Sequence, residues 1–337
     1  MSFFKRSNIK IVFIALAIVA ILGVGIPSVS AAEQLWLHHD DDGMNKIRNT
    51  YTTQTKKAGG NWYSYVTVAD TDGNMKPVID DESDHVISAY SVNKLAVALA
   101  VMDKVDRGQL SLDQKITLTP EIIAGGSGMY FLQQGHYGDS LTLANVLNTM
   151  LLVSDNTAVR LVGTVLPGPE INDILASKGF THTRVEPLPD NPHRFYLGDT
   201  TPKEMNMLLE GLANKTLVSP QSSDFILNIM QWINGYNDGV RRNMSSLERI
   251  KIGSKYGAYV DSRHEVGIMF DDSGAPALIY TFFNDGVGDT GNYGATNPAV
   301  EAEAVLGRTM LDSITGKKNE KPKAHVQFRK YSPEDER

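Results

Sequence analysis

The sequence contains no cysteine among its 337 residues. A disulfide framework, a zinc site built from thiolates and a cysteine nucleophile are therefore excluded. An excess of basic residues is also missing, because 32 lysines and arginines stand against 39 acidic residues, for a formal net charge of −7 and a pI of about 5.6. A protein that binds nucleic acid needs a basic face, so this balance argues against that class of partner.

A hydrophobic run near the N-terminus is too short for a typical membrane span. It covers residues 11–26 and follows three basic residues, whereas a spanning helix needs about 20 apolar residues. Small residues then lead to Ala31 and Ala32, after either of which a signal peptidase could cleave. We expect residues 1–32 to be a signal peptide and the mature protein to be secreted or periplasmic, without a stable membrane span. An uncleaved N-terminal anchor is the alternative.

Two segments have the composition of a ligand-binding site, one for a metal ion and one for a phosphate group. In neither segment do the spacing and the neighbouring elements suit that ligand. The run from His38 to Asp42 contains metal-binding residue types, but adjacent side chains cannot all converge on one ion, so we expect a solvated linker. The segment from Gly125 to Gly128 is rich in glycine, but no predicted strand leads into it, as a phosphate loop would require. We therefore expect neither a metal nor a cofactor.

Hydrophobic periodicity predicts strands at both ends of the chain and helices between them. The predicted elements are a helix at 43–57, strands at 62–68 and 75–79, helices from 91 to about 240, strands at 249–255, 264–270 and 277–283, and a helix at 298–315. Five strands that each need partners most simply form one antiparallel sheet. Residues 183–201 are rich in Pro, Asp and Asn and lack periodicity, which predicts a long loop of the kind that is usually functional.

This order predicts an α/β protein of the α+β type with two lobes. We expect one catalytic domain at 33–315, in which 43–90 and 246–315 form a sheet lobe and 91–245 form an inserted helical lobe. The first and last helices would cover one face of the sheet. The charged, apolar-poor segment 316–337 is predicted to be a disordered tail.

Ser91 and Lys94 open the first helix of the helical block. Residues three apart lie on one helix face, so the two side chains would point the same way. A serine hydroxyl becomes a good nucleophile only when a neighbouring group takes its proton. A lysine amine can do so if burial keeps it close to neutral. The alternative is a serine N-cap followed by a solvent-facing lysine.

Two further segments carry residue types that suit the same chemistry. Ser154 and Asn156 lie between two predicted helices, where the hydroxyl could relay a proton and the amide could hold a substrate amide. Lys255 and Gly257 lie at the end of a predicted strand, where the amine could attract a carboxylate and the glycine would let the strand approach a substrate. Helix capping and an edge-strand lysine beside a turn glycine are the respective alternatives.

The order Ser-x-x-Lys on a helix, Ser-Asp-Asn between helices and Lys-x-Gly on a strand resembles the serine penicillin-recognising enzymes, which are the class A β-lactamases and penicillin-binding proteins. The resemblance covers residues 43–315. Residues 154–158 are similar to the class A sequence Ser-Asp-Asn-Thr-Ala, and residues 199–202 are similar to the end of its omega loop. Residues 126–128 and 264–268 are more similar to class A-related exported serine hydrolases. The resemblance implies the β-lactamase/D,D-peptidase fold, with a five-stranded antiparallel sheet flanked by helices and an inserted all-helical lobe.

The resemblance also implies catalytic roles. Ser91 would be the acylated nucleophile, Lys94 its general base or proton partner, and Ser154 the group that passes a proton to the leaving nitrogen. The oxyanion hole would consist of the backbone N–H groups of Ser91 and Ala258, and two such donors could stabilise a tetrahedral oxyanion by several kcal/mol.

Substrate-binding roles follow from the same resemblance. Asn156 would bind the amide of the acyl side chain, Lys255 would bind the substrate carboxylate, and Gly257 would let the strand lie close to the substrate. Arg263 would either help to hold that carboxylate or be a surface charge at the end of a strand.

Two positions depart from the family pattern. The family's omega loop carries Glu-x-x-Leu-Asn, whose glutamate positions the deacylating water, and Glu186 with Pro187 is the best match to it here. The Leu-Asn pair is interrupted, so Glu186 is either the deacylating base or only a loop carboxylate. Tyr256 stands where the family has Thr or Ser after the lysine, which removes a short hydroxyl from the carboxylate site.

The sequence therefore predicts an exported serine hydrolase that forms an acyl-enzyme, foremost a monomeric β-lactamase acting on a small-molecule β-lactam. One alternative is a D,D-peptidase or penicillin-binding protein that acts on peptidoglycan stem peptides. Another is a non-catalytic cell-wall binding protein with the same fold. The presence of Ser91, Lys94, Ser154 and Lys255 argues against this last class, because binding alone does not require them.

Overall fold

The computed structural model describes residues 31–128 and 136–315 of the chain, with side chains from Asp41 onward. The predicted tail and all but the last two residues of the predicted signal peptide lie outside the described residues. The chain divides into two compact units, residues 1–42 and 43–337. The lobes and the site described below belong to the second unit.

Nine α-helices and ten β-strands occur within residues 31–128 and 136–315. The helices are α1 (Ala31–Ala58), α2 (Lys94–Asp106), α3 (Leu143–Leu152), α4 (Asn156–Val165), α5 (Gly168–Ser177), α6 (Pro202–Ala213), α7 (Pro220–Met230), α8 (Ser246–Arg249) and α9 (Pro298–Thr315). The strands are β1 (Asn61–Ala69), β2 (Met75–Asp81), β3 (Ile87–Ser88), β4 (Lys115–Thr117), β5 (Ser140–Thr142), β6 (Arg184–Leu188), β7 (Asn191–Thr200), β8 (Ile252–Tyr259), β9 (Ser262–Phe270) and β10 (Pro276–Asp285).

The predicted five-stranded antiparallel sheet is confirmed, with the strand order β2-β1-β10-β9-β8. Successive side chains of a strand point to opposite faces, so this sheet supplies two cores. Val266 and Ile268 of β9 join the core shared with the helical lobe, whereas Met269 joins the core that also contains Ile47 of α1 and Leu306 of α9. The first and last helices therefore pack on one face, as the sequence predicts.

Helix α2 runs through the centre of the helical lobe. Its residues Lys94 to Asp103 are all buried, and a helix that is apolar all round is one that the fold encloses. Leu, Val and Ala dominate this stretch, and neither glycine nor proline interrupts it. The short 3₁₀ turn Tyr90–Asn93 leads into it. The helix therefore provides a rigid, enclosed base for the serine and lysine at its start.

The long loop expected at residues 183–201 is wrong. Strands β6 and β7 form an antiparallel hairpin there, and β7 also pairs with β3, which gives a second sheet in the order β3-β7-β6. Pro187 lies in β6, at the outer edge of this sheet, where a missing N–H costs no ladder hydrogen bond. Residues that read as loop by composition are thus held as strands by pairing that the local sequence does not reveal.

The linker expected at residues 38–42 is also wrong, because helix α1 already begins at Ala31 and runs through this segment to Ala58. The helix predicted from Gly43 is therefore the second part of a longer element. From Gly43 onward it belongs to the unit that contains the sheet.

Candidate active site

Ser91 lies in the 3₁₀ turn at the start of α2, and its Oγ is 3.0 Å from Nζ of Lys94, the first residue of that helix. Ser91 is half-buried, whereas Lys94 is completely buried. Tyr90, just before the serine, has φ of 46°, which is the left-handed region that a non-glycine residue rarely adopts. The backbone strain next to Ser91 is of the kind that concentrates at functional sites.

The Lys94 amine is surrounded by oxygen atoms. It donates to the carbonyl oxygen of Ser154 at 2.6 Å and to Oδ1 of Asn156 at 2.8 Å, and it lies 3.2 Å from the Ser154 hydroxyl. Burial lowers the pKa of Lys94 to about 7, although the negative charge of Asp155 acts in the opposite direction. The amine is therefore neutral in a substantial fraction of molecules near neutral pH and can accept the proton of Ser91.

Ser154 lies between two lysine amines. Its hydroxyl is 3.2 Å from Nζ of Lys94 and 2.9 Å from Nζ of Lys255, and both lysines are almost fully enclosed. Burial, followed by the positive charge of Lys94, lowers the pKa of Lys255 well below its usual value. Two neighbouring buried amines do not readily carry two positive charges, so one of the two lysines is expected to be charged while the other is neutral. The Ser154 hydroxyl then lies between an amine that can donate a proton and an amine that can accept one.

Strand β8 passes directly beside the turn of residues 90–93, which contains the predicted nucleophile Ser91 and is called the nucleophile turn below. A Cβ added to Gly257 would lie 2.9 Å from the backbone nitrogen of Val92, a distance that real Cβ atoms essentially never show, and 3.1 Å from that of Ser91, which is tighter than most real contacts. Only glycine therefore lets the strand approach this turn. Ala258, the next residue, lines the same cavity as Ser91. The backbone N–H groups of these two residues remain the predicted oxyanion hole.

A cavity of about 880 Å³ opens beside Ser91. Asn156 and Ala258 line it near the serine, and the hairpin of β6 and β7 supplies much of the remaining wall. The Asn156 amide nitrogen donates to the carbonyl oxygen of Gly125 at 3.1 Å, which fixes its orientation at the edge of the cavity. The arrangement combines a Ser91 hydroxyl next to a buried amine, a second hydroxyl between two amines, and a cavity that can accommodate an acyl group. These are the features that acyl transfer through a covalent serine intermediate requires.

The family model described as the beta-lactamase enzyme family matches residues 44–314 of this sequence. The chain belongs to that family. Residues 44–314 make up most of the chain, so membership applies to both lobes. The resemblance to class A-like serine β-lactamases is confirmed, and the chain is a serine hydrolase of the β-lactamase type.

Individual relatives are distant in sequence. β-Lactamase VEB-1 of Pseudomonas aeruginosa is 28% identical over 55% of this chain, and the match spans 62% of that enzyme's length, which is less than two thirds. β-Lactamase OXY-2 of Klebsiella oxytoca is 23% identical over 81% of this chain and 92% of its own. The crystal structure of a β-lactamase from Sphaerobacter thermophilus superposes with a TM-score of 0.66, at 21% identity, over 82% of this chain and 99% of that one. At such identity the structural likeness establishes the fold, which confirms the predicted fold class.

Glu186 is the site residue whose position in this β-lactamase-family chain differs most from the expected loop. It lies in strand β6, opposite Tyr196 of β7, and lines the cavity with an exposed side chain. Among the described residues it has no hydrogen bond to Ser91 or to Lys94. The structure thus brings Glu186 to the cavity wall but does not attach it to the nucleophile.

Neither expectation for Arg263 matches the structure. Its guanidinium is buried, not exposed, and its five N–H donors bind backbone carbonyl oxygens of Val260, Ser262, Thr290 and Asn292. The ring of Tyr293 covers it at 4.2 Å. Because these donors are already used, Arg263 fastens the loop after β10 and is not a substrate-binding residue.

Tyr256 presents its phenol at the edge of the site, where this family has a shorter hydroxyl. The hydroxyl lies 3.4 Å from that of Ser127, and the ring stacks on Tyr236 with centroids 4.2 Å apart. Nζ of Lys255 lies 4.6 Å from the centre of the Tyr256 ring, and the same amine donates to the Tyr256 carbonyl oxygen at 2.7 Å. A hydroxyl is therefore present near Lys255, but on a larger and more rigid side chain.

Sequence reasoning missed Asn93, which attaches the hairpin to the nucleophile turn. Its amide nitrogen lies 2.6 to 3.1 Å from three backbone carbonyl oxygens of the hairpin, those of Arg184, Leu197 and Asp199. The signal in the sequence is slight, because it is only an amide next to Lys94 at the start of an apolar helix. The cavity wall is thus fixed to Asn93, which directly precedes Lys94.

Glu204 was also missed, although the Thr-x-x-Glu spacing from Thr201 marks a helix start. The Thr201 hydroxyl accepts from the Glu204 backbone N–H at 3.1 Å, as a cap does. The Glu204 carboxylate, however, accepts hydrogen bonds from backbone and hydroxyl groups of Thr181 and Thr183. It therefore anchors the segment that enters β6.

Within residues 41–128 and 136–315, no cluster of three or more His, Asp and Glu side chains has the arrangement to hold a metal ion. None of the helices described here is both long enough and apolar enough to cross a membrane.

Proposed function

We propose that this protein hydrolyses the amide bond of β-lactams through an acyl-enzyme on Ser91. The observation that carries the proposal is the 3.0 Å contact between Ser91 Oγ and the Lys94 amine, whose pKa burial lowers to about 7. A neutral amine at this position is a base matched to the working pH. Family membership over residues 44–314 supports the same reaction class.

Acylation follows from these positions. Neutral Lys94 takes the Ser91 proton while the serine oxygen attacks the lactam carbonyl carbon, and the backbone N–H groups of Ser91 and Ala258 stabilise the oxyanion. The carbon–nitrogen bond then breaks, and the leaving nitrogen takes a proton from the Ser154 hydroxyl. Ser154 is reprotonated by Lys94, 3.2 Å away, which restores the neutral amine. Lys255, on the other side of that hydroxyl, favours the transfer and attracts the substrate carboxylate.

Deacylation needs a base for the attacking water. Glu186 is the proposed base, because its carboxylate lines the cavity that the acyl group would fill. The proton of the water would pass to this carboxylate as the hydroxide attacks the ester carbon. The bond to the Ser91 oxygen would then break, and this oxygen would take the proton held by Glu186. Ser91 would thus be restored as an alcohol, Glu186 as a carboxylate, and the opened β-lactam would leave as its acid.

A second candidate is a penicillin-binding D,D-peptidase that acts on peptidoglycan stem peptides. The position of Glu186 favours this second function, because its side chain is exposed and, among the described residues, forms no hydrogen bond with Ser91 or Lys94. A base that is loosely held would leave the acyl-enzyme long-lived. A non-catalytic cell-wall binding protein gains no support, since it would not need a buried amine next to a serine.

One experiment separates these functions: the mature protein is mixed with a chromogenic cephalosporin, and turnover and intact protein mass are followed together. Rapid turnover that disappears in Ser91→Ala supports the β-lactamase. A stable adduct without turnover supports the penicillin-binding function, and no turnover with no adduct contradicts both. Ser313→Ala, on the distant helix α9, is the matched control and should behave as the wild type. Glu186→Gln should convert rapid turnover into adduct accumulation if Glu186 is the base.

We also propose that residues 1–32 direct export and that the mature protein acts as a secreted or periplasmic monomer. The basic residues, the apolar run and the small residues before Ala31 and Ala32 support export. N-terminal sequencing of the protein recovered outside the cytoplasm tests this, because a start at Ala32 or Glu33 is expected. Recovery of the full-length chain in the membrane would support the anchor instead.

A further inference from the structure

Two arginines line the same cavity as Ser91. Arg160 lies on α4 and Arg194 lies on β7, so they approach the cavity from the helical lobe and from the hairpin. Arg160 follows Asn156 by four residues, which places both side chains on one face of the helix, with Cβ atoms about 5–6 Å apart. Arg160 therefore lies one helical turn beyond Asn156, and Arg194 lines the same cavity from the hairpin.

Backbone carbonyl oxygens hold the two guanidinium groups in place, and the carboxylate of Glu121 interacts with Arg194 only through its charge, beyond ion-pair distance. Arg160 donates to the carbonyl oxygen of Ile123 at 2.5 Å, and Arg194 donates to that of Glu121. Neither arginine forms an ion pair with a carboxylate in residues 41–128 or 136–315. Burial lowers the pKa of Arg160, and the positive charge of Arg194 lowers it further, so the two cations act on each other. Two like charges facing one cavity would be stabilised by an anion between them.

The acidic residues of the cavity do not take this place. Asp199 lines the cavity, but its carboxylate lies 3.8 Å from Arg184, which is not a lining residue. Glu186 lies opposite Tyr196 in the hairpin. Val159 and Phe195 also line the cavity and supply part of its apolar surface. A charge pair that is partly shielded from water by such walls is stronger than one on an open surface.

We propose that Arg160 and Arg194 form an anion-binding subsite, which binds a carboxylate carried by the acyl part of the substrate. The inference rests on the proposed function, in which Asn156 holds the amide of the acyl side chain. The forked donors of arginine match the two oxygens of a carboxylate. The preferred substrate class is thus an amide or β-lactam whose acyl group bears a carboxylate.

A pair of penicillins that differ by one carboxylate tests the subsite. Benzylpenicillin has a neutral acyl side chain, and α-carboxybenzylpenicillin adds a carboxylate to the same group. In Arg160→Gln and Arg194→Gln, kcat/KM for the carboxylated penicillin should fall by roughly 10- to 100-fold, the effect of losing a charge-assisted hydrogen bond. The value for benzylpenicillin should change by less than about 3-fold. Arg107→Gln, an exposed arginine at the end of α2, is the control and should change neither value.

Equal losses for both penicillins, or no loss for the carboxylated one, would overturn the subsite. Arg160→Lys keeps a charge but not the fork, so it should recover part of the activity, and its thermal unfolding checks that the variants fold.

A binding measurement keeps the subsite separate from catalysis. In Ser91→Ala, calorimetry at low ionic strength should show tighter binding of α-carboxybenzylpenicillin than of benzylpenicillin, and this difference should disappear in Ser91→Ala/Arg160→Gln. If the wild type hydrolyses neither penicillin but this difference is present, the proposed function fails and the subsite holds. If the carboxylated penicillin binds no more tightly, the subsite is wrong whatever the turnover.

Discussion

The proposed role of Lys94 as the general base for Ser91 depends on the burial of its amine. A lysine amine normally stays charged at neutral pH, and a charged amine cannot take a proton from serine. Enclosure at the start of α2 lowers its pKa to about 7, and oxygen atoms of Ser154 and Asn156 hold it in position. The spacing of Ser91 and Lys94 is visible in the sequence, but the burial that turns the amine into a base is not.

Acylation should therefore depend on pH in a defined way. The pKa of Lys94 is lowered, so the amine is protonated below about pH 7 and neutral above it. The acylation rate constant, measured by stopped-flow with a chromogenic cephalosporin, should rise with pH through a midpoint near 7 and then level off. Lys94→Ala should lower that rate by about 10²- to 10⁴-fold.

The control for Lys94 is Lys104→Ala, on the same helix, where the amine forms an ion pair with Glu170 and does not line the cavity. It should keep both the rate and the midpoint. A pH-independent acylation rate in the wild type would show that Lys94 is not the base.

At the scale of elements, the closeness of strand β8 to the nucleophile turn forms the site. Local patterns predict the strand and the helix separately, and both exist close to where they are expected. The hairpin of β6 and β7 was not predicted, because side chains from other parts of the sequence hold its backbone in place. Asn93 and Asn172 bind its backbone, and Asn172 does so on both sides, with 2.9 Å bonds to the N–H and the carbonyl oxygen of Val185.

Gly257→Ala should damage catalysis more than folding. The added methyl group would meet backbone atoms of Val92 and Ser91, which cannot rotate away, so β8 must move from the turn. We expect kcat/KM with a chromogenic cephalosporin to fall roughly 10- to 100-fold, because small misplacements of reacting groups are costly. The free energy of unfolding, measured with urea, should fall by about 1–3 kcal/mol. Gly291→Ala meets no atom within 4 Å and should change neither quantity; the same result for Gly257→Ala would contradict this account.

At the scale of the whole molecule, polar side chains join segments that neither a helix nor a strand ladder connects. The Glu204 carboxylate at the start of α6 is one such contact. Burial alone would raise its pKa, but hydrogen bonds from Thr183 and Thr181 outweigh this effect and lower the pKa to about 2. The lowered pKa means that folding favours the ionised carboxylate.

Acid stability should reveal this contact. Because the folded pKa of Glu204 is lower than its unfolded value near 4.5, its contribution is fully present above about pH 4.5 and is lost as pH falls towards 2. Urea unfolding of Glu204→Gln should show a loss on the order of 2 kcal/mol at pH 7 that shrinks as the pH is lowered through this window. Glu301→Gln, an exposed residue at the start of α9, should show no such pH-dependent difference, and a constant deficit in Glu204→Gln would contradict the assignment.

The sequence by itself determined the two-lobed order of elements, the five-stranded sheet and the three segments that supply Ser91, Ser154 and Lys255, because these depend on local periodicity and spacing. Tertiary structure decided the rest. It lowered the pKa of Lys94 by burying it, turned residues 183–201 into a hairpin, enclosed Arg263 among backbone carbonyls and brought Arg160 and Arg194 to one cavity. Burial and long-range pairing set each of these properties, and neither is encoded in the spacing of neighbouring residues.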